Sequence, residues 1–251
     1  MLKHKAPLPA GRGSLQSARC RERTGQRQRG AFTLVELLVV VAVIALLVAI
    51  LAPSLAASKE HAKVIRTLAD LRGIATAIQV YTACGERPTA PARSWCTSDR
   101  ADHWCELPRE LAAARCLPGG DDDLSAGMED AFNPRHTYKY LAPGWGYHND
   151  AAVPKAVWVP DAFGQDDPEA DPKTLRGRAY DNVSMPLDAD GHVVPSPVAW
   201  VIWSLGPRYD SAVGSGQRAP IARCTWYRGT GSRGVIPIVS AADGRLTVWS
   251  R

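Results

Sequence analysis

The hydrophobic pattern splits the chain into two kinds of sequence. From Leu37 to Leu51 fifteen consecutive residues are apolar, and no charge falls between Glu36 and Lys59. Such a run inserts into membranes; it is shorter than the roughly 20 residues of an ordinary span and close to the apolar centre of an export signal. The pattern then changes without stopping. Val64, Leu68, Leu71, Ala75 and Ile78 recur at spacings of 4, 3, 4 and 3, with Ile65, Ile74 and Tyr81 widening the stripe. This is the period of an amphipathic helix. One helix from Thr33 to Thr82 therefore accommodates both halves, about 75 Å long at 1.5 Å per residue, with Gly85 and Pro88 as its stop.

Beyond residue 84 the pattern breaks into short segments punctuated by Pro and Gly, and all eight tryptophans lie after residue 94. The spacing predicts a globular head over 85–251, with a short helix from Pro108 to Cys116 that opens on Pro and closes before Pro118-Gly119-Gly120. The best strand is Val198 to Leu205, apolar on both faces. Ile221 to Tyr227 and Val235 to Val239 are weaker strands, the second placed at a sheet edge because it contains Pro237. Ala242-Asp243-Gly244 predicts a turn into a strand from Leu246 to Trp249. A long N-terminal helix on a small antiparallel sheet is an α+β fold.

Charge sharpens this division. Residues 1–31 carry eight Lys/Arg and one acid, Glu22, for a net +7, whereas residues 32–251 sum to −2. The basic character thus belongs to the leader, which argues against a nucleic-acid-binding head. Positive charge ahead of the apolar run places the leader in the cytoplasm and the head outside. An ordinary secretory signal has the same flanks, and Ser54-Leu55-Ala56 offers it a small-x-small cleavage site. Glu36 fits that alternative badly, because a carboxylate carried to the centre of a helix in lipid costs about 2.5 to 3.5 kcal/mol and calls for a partner.

Ala31-Phe32-Thr33-Leu34-Val35-Glu36-Leu37-Leu38-Val39-Val40 resembles the class III signal of type IV pilins and type II secretion pseudopilins. The resemblance implies a pilin-like fold and four parts: a basic cytoplasmic leader over 1–31, a transmembrane and filament-core helix over 32–53, an amphipathic periplasmic helix over 54–84, and an extracytoplasmic head over 85–251. It implies that a prepilin peptidase cuts between Ala31 and Phe32, or after Gly30, and methylates the new amino terminus. Glu36 becomes the fifth residue of the mature chain, the family's acidic position, whose partner would be the freed amine of Phe32 on a neighbouring subunit. Pro53 falls where many such proteins carry a helix-perturbing proline, and reads either as a kink or as a boundary between the two helix portions. The implied partners are the peptidase, other pilin or pseudopilin subunits, the inner membrane and the assembly platform of a secretion or pilus machine. A weaker likeness to major pseudopilins lies in Asp130-Ala131-Phe132-Asn133-Pro134 with Tyr138-Lys139-Tyr140, and in Ser204-Leu205-Gly206-Pro207.

Those relatives often hold calcium in a C-terminal loop. Here Arg208 stands where the family has Asp, which leaves Asp210 and Asp243 as the calcium candidates and a plain solvated turn as the expectation; no other cofactor is implied. Asp121-Asp122-Asp123 reads as an exposed loop. Cys20 lies in the leader, leaving Cys84, Cys96, Cys105, Cys116 and Cys224 outside, where disulfides are expected. Cys96 with Cys105 and Cys84 with Cys116 are reasonable loop-closing pairs, and the fifth thiol is left over. Zinc on Cys96, His103, Cys105 and Cys116 is the competing arrangement and lacks a paired C-x-x-C spacing. With no nucleophile motif, phosphate loop or metallohydrolase helix, an enzyme is not expected. The tryptophans read as core and strand residues rather than a binding groove. The function that follows is a structural filament subunit; the alternative is an exported soluble binding protein or enzyme with a cleaved signal peptide.

Overall fold

The computed structural model describes residues 32–85, 90–91, 93–94, 105–118, 128–149, 151–184, 190–208 and 220–248. By its internal contacts the chain forms two units, 1–49 and 50–251. The architecture is α+β, a long N-terminal helix followed by small, mainly antiparallel sheets.

Helix α1 runs from Leu34 to Cys84 and passes through Pro53. Its ends lie within two residues of the predicted ones, and the chain bends at Gly85. In the first unit every described residue is exposed, from Phe32 to Ala49.

In the second unit the amphipathic stripe of α1 enters the core. Val64, Thr67, Leu71, Ile74, Ala75, Ala77 and Ile78 are buried, and Leu71, Ile74 and Ile78 are wholly so, each worth about 1.5–3 kcal/mol in transfer terms. Ile65, expected on the stripe, is 55% exposed. At 100° per residue it falls on the far side of the arc centred on Thr67, Leu71, Ile74 and Ile78.

A four-stranded sheet packs with this stripe in the same core. Its order is β11 (Leu246–Val248), β10 (Ile236–Ala241), β9 (Val198–Ser204) and β4 (Lys139–Leu141), antiparallel throughout. A second sheet joins β1 (Arg93–Ser94), β5 (Gly144–His148) and β6 (Ala151–Lys155), with β1 parallel to β5. Two hairpin-like pairs complete the head: β2 (Glu129–Asp130) with β3 (Asn133–Thr137), and β7 (Val157–Pro160) with β8 (Gly177–Tyr180). Polar contacts register α1 on the head. Tyr138 donates to Asp70 at 2.8 Å. Glu60 accepts from the Tyr227 hydroxyl at 3.0 Å and the Gly231 N–H at 3.2 Å.

The strand predicted over 198–205 is β9, whose residues are buried except Ala199. The predicted helix shortens to α2 (Arg109–Ala113), entered through Pro108. Two strand predictions fail. Ile221 to Tyr227 is no strand; it contains a 3-10 turn at Arg223–Thr225, because the Asp166 carboxylate takes the Arg223 N–H at 2.7 Å and the Thr225 hydroxyl bonds back to the Ala222 carbonyl. Pro237 is not on an edge strand, since β10 lies between β9 and β11. It is tolerated because β11 pairs only Ile238 to Ser240, so no ladder bond to β11 is asked of it. The 242–244 turn is present, with Gly244 at φ 85°.

Candidate functional site

The most unusual surface is the N-terminal half of α1. Residues 32 to 56 are all exposed, among them Phe32, Leu34, Leu37, Leu38, Ile44 and Leu47 at 54–78%. The helix is long and apolar enough to cross a membrane, and its most apolar window buries nothing within the protein. A soluble chain rarely leaves so continuous an apolar surface in water; it needs lipid or other helices around it.

Glu36 sits at the start of this surface, and the local sequence builds its setting. Thr33 precedes the first helical residue, and Glu36 stands three places on, the spacing of a capping box. Both halves of the box form. The Thr33 hydroxyl accepts the Glu36 N–H at 3.2 Å, while Glu36 Oε2 accepts the Thr33 N–H at 2.9 Å and the Thr33 O–H at 2.8 Å. The reading that assigns Glu36 a neighbour's amine as its partner missed this contact within the subunit, although Thr-x-x-Glu was legible as a signal. Only Oε2 is engaged; among the described residues Oε1 accepts no hydrogen bond. The carboxylate is thus folded back toward Phe32 with one oxygen open. Phe32 itself is 75% exposed, and Ala31 lies outside the described residues.

In the head, the two stretches singled out by their likeness to major pseudopilins meet. Asp130, 1% exposed, accepts the Ser204 hydroxyl at 2.6 Å, the Leu205 N–H at 3.1 Å and the Phe132 N–H at 3.0 Å. Burial pushes this carboxyl above the usual Asp range, against the pull of those donors and of Lys139. The chain then turns through Gly206 at φ 71°, where an added Cβ would stand 2.0 Å from the Gly234 carbonyl oxygen.

The remaining candidates are placed as follows. Asp243 is committed to Arg245, accepting its backbone N–H at 3.0 Å and its Nε at 2.6 Å. Asp210, Cys96, His103 and Asp121 to Asp123 lie outside the described residues, and among the described ones no group of three or more His, Cys, Asp or Glu is arranged to hold a metal. Cys84, Cys105, Cys116 and Cys224 carry free thiols. Trp158, Trp200 and Trp203 are core residues, while Trp145 on β5 is 63% exposed; Trp95, Trp104 and Trp249 lie outside the described residues.

Residues 26–52 match the prokaryotic N-terminal methylation motif. No curated protein and no solved structure matches the chain. The motif covers Phe32, the Thr33–Glu36 cap and most of the exposed apolar helix, and it supports reading this N-terminal segment as that of a type IV pilin-like prepilin.

Proposed function

We propose that this protein is a structural subunit of a type II secretion pseudopilus or type IV pilus-like filament. Prepilin peptidase cuts between Ala31 and Phe32 and methylates the new amine. The mature chain waits in the inner membrane, N-terminus in and head outside, and then enters a filament through α1. One observation carries the reading: the apolar helix over residues 32–56 is exposed on every side and holds a single acid at its entry. Lipid covers that surface first, and the same helix of neighbouring subunits covers it in the filament. The role is mechanical rather than catalytic. The open Oε1 of Glu36 takes the Phe32 amine of a neighbour, because a carboxylate surrounded by apolar helices is tolerable beside an opposite charge and that pairing sets the stagger.

Mass spectrometry of the terminal peptide from the membrane fraction tests the processing step. N-methylated Phe32 at the mature end is expected; a soluble protein beginning near Ala57 would be an ordinary secretory product and would overturn the reading. Glu36→Ala should be processed and inserted normally and yet lose cysteine crosslinks between neighbouring α1 helices by at least tenfold. Unchanged crosslinking removes the pairing role.

A further inference from the structure

The last turns of α1 and the turn after α2 border an open cavity of about 700 Å³ lined by Tyr81, Cys84, Arg115 and Cys116 among others. Two cysteines separated by α1's end and a long connection therefore border one space. The local sequence brings the second one there. After Ala113 the chain closes a Schellman turn, with the Cys116 N–H on the Leu111 carbonyl at 2.9 Å and the Arg115 N–H on the Ala112 carbonyl at 2.8 Å. Arg115 holds the left-handed position of that turn at φ 57°, a conformation usually left to Gly. Cys116 follows it directly, with its thiol directed to the Ala114 carbonyl at 3.7 Å. Cys84 is exposed and Cys116 half-buried, so an oxidant reaches this pair.

We infer that this cavity is a disulfide site, in which Cys84 and Cys116 join after the head leaves the cytoplasm and staple the end of α1 to the α2 turn. The inference rests on the proposed topology, because only an oxidising compartment makes the bond persist. In the reaction a thiolate of one cysteine attacks a disulfide-bearing oxidant, and the second thiolate then displaces the mixed disulfide. One S–S bond forms between the two Sγ atoms, the oxidant's own S–S bond breaks, and the two electrons and two protons given up by the protein thiols reduce the oxidant to a dithiol. The other described thiols are poorer competitors. Burial pushes the Cys105 thiol up, and burial together with the Asp166 carboxylate does the same to Cys224, which lowers the thiolate fraction available for exchange.

Each of the five extracytoplasmic cysteines lies on a separate tryptic peptide, since Arg93, Arg100, Arg109, Arg115, Arg135, Arg223 and Arg228 fall between or beside them. A non-reducing digest of the full-length protein from membranes, alkylated on lysis, should show the Cys84 peptide joined to the Cys116 peptide. The wild type should melt about 10 °C lower in reductant, at the temperature shared by Cys84→Ser, Cys116→Ser and the double variant. Both thiols recovered alkylated, or either one joined to Cys96, overturns the inference. A membrane-impermeant maleimide on intact spheroplasts separates this failure from that of the topology. With the proposed topology and the bond, Cys84 is labelled only after reduction. Labelling without reduction refutes the disulfide and leaves the topology standing, whereas no labelling after reduction refutes both.

Discussion

Replacing Asp130 by Ala removes the acceptor on which two remote parts of the head converge. The Ser204 hydroxyl and the Leu205 N–H reach it from 74 and 75 residues away, and both bonds are buried. Phe132 N–H also points at it but is only part-buried and finds water in the variant. A buried donor left without a partner costs about 1–3 kcal/mol. Two of them give a loss of about 4 kcal/mol, a large share of the 5–15 kcal/mol that separates a folded domain from its unfolded chain. For a unit of this size that lowers the melting temperature by about 10 °C. Tryptophan fluorescence of the full chain in detergent is the assay, because all eight tryptophans lie in the head. Ser204→Ala deletes one donor along with its bond but also removes the acceptor of the buried Gly206 N–H, so it should cost about 2–4 kcal/mol, and the double-variant cycle should show a coupling of at least 1 kcal/mol. A melt of Asp130→Ala within 2 °C of the parent, or additivity in the cycle, refutes the latch.

The acid also carries a pH signature. Burial raises its folded pKa above the unfolded value, so its contribution is fully present below the unfolded pKa and falls away as pH rises through the folded one. Asp130→Asn cannot titrate, and its deficit relative to wild type should therefore be larger near pH 4 than at pH 7. A deficit that grows with pH contradicts the assigned direction.

Gly206→Ala should cost about 3 kcal/mol or more, because its Cβ would meet the Gly234 carbonyl oxygen at 2.0 Å as well as a positive φ. Gly244→Ala has the positive φ but nothing within 4 Å and should cost about 1 kcal/mol; equal melts for the two variants would dismiss the close approach as the cause. Thr33→Val keeps the shape of the side chain and removes the hydroxyl that both donates to and accepts from Glu36, weakening the helix start by about 1 kcal/mol. The carboxylate, then held by the Thr33 N–H alone, should be less firmly placed and reduce crosslinking between neighbouring α1 helices several-fold while N-terminal processing continues; wild-type crosslinking would show that the hydroxyl half of the cap does not position Glu36.

Much of the N-terminal part was readable because its physics is local. The period of 3.6, the run without charge and the Gly at the end depend on residues within a few turns of each other, and α1 was accordingly placed to within two residues. β9 was readable for a similar reason, since a strand covered on both faces is apolar throughout. What the sequence left open depends on partners far along the chain. Whether Ile221 to Tyr227 extends or coils is decided by the Asp166 carboxylate, 57 residues away from the N–H it accepts. Pro237 sits inside a sheet because β11 happens to be short. Asp130 drew attention by resemblance alone, and only the fold turns it into a buried acceptor for Ser204 and Leu205. The same holds for Cys84 and Cys116, whose common cavity is made by the packing of α1 against the α2 turn. Sequence alone determined that a lipid-seeking helix leads an α+β head, because solvent preference and helical period are properties of each residue and its near neighbours. Tertiary structure decided which buried polar groups meet, because a hydrogen bond depends on distance in space rather than separation along the chain.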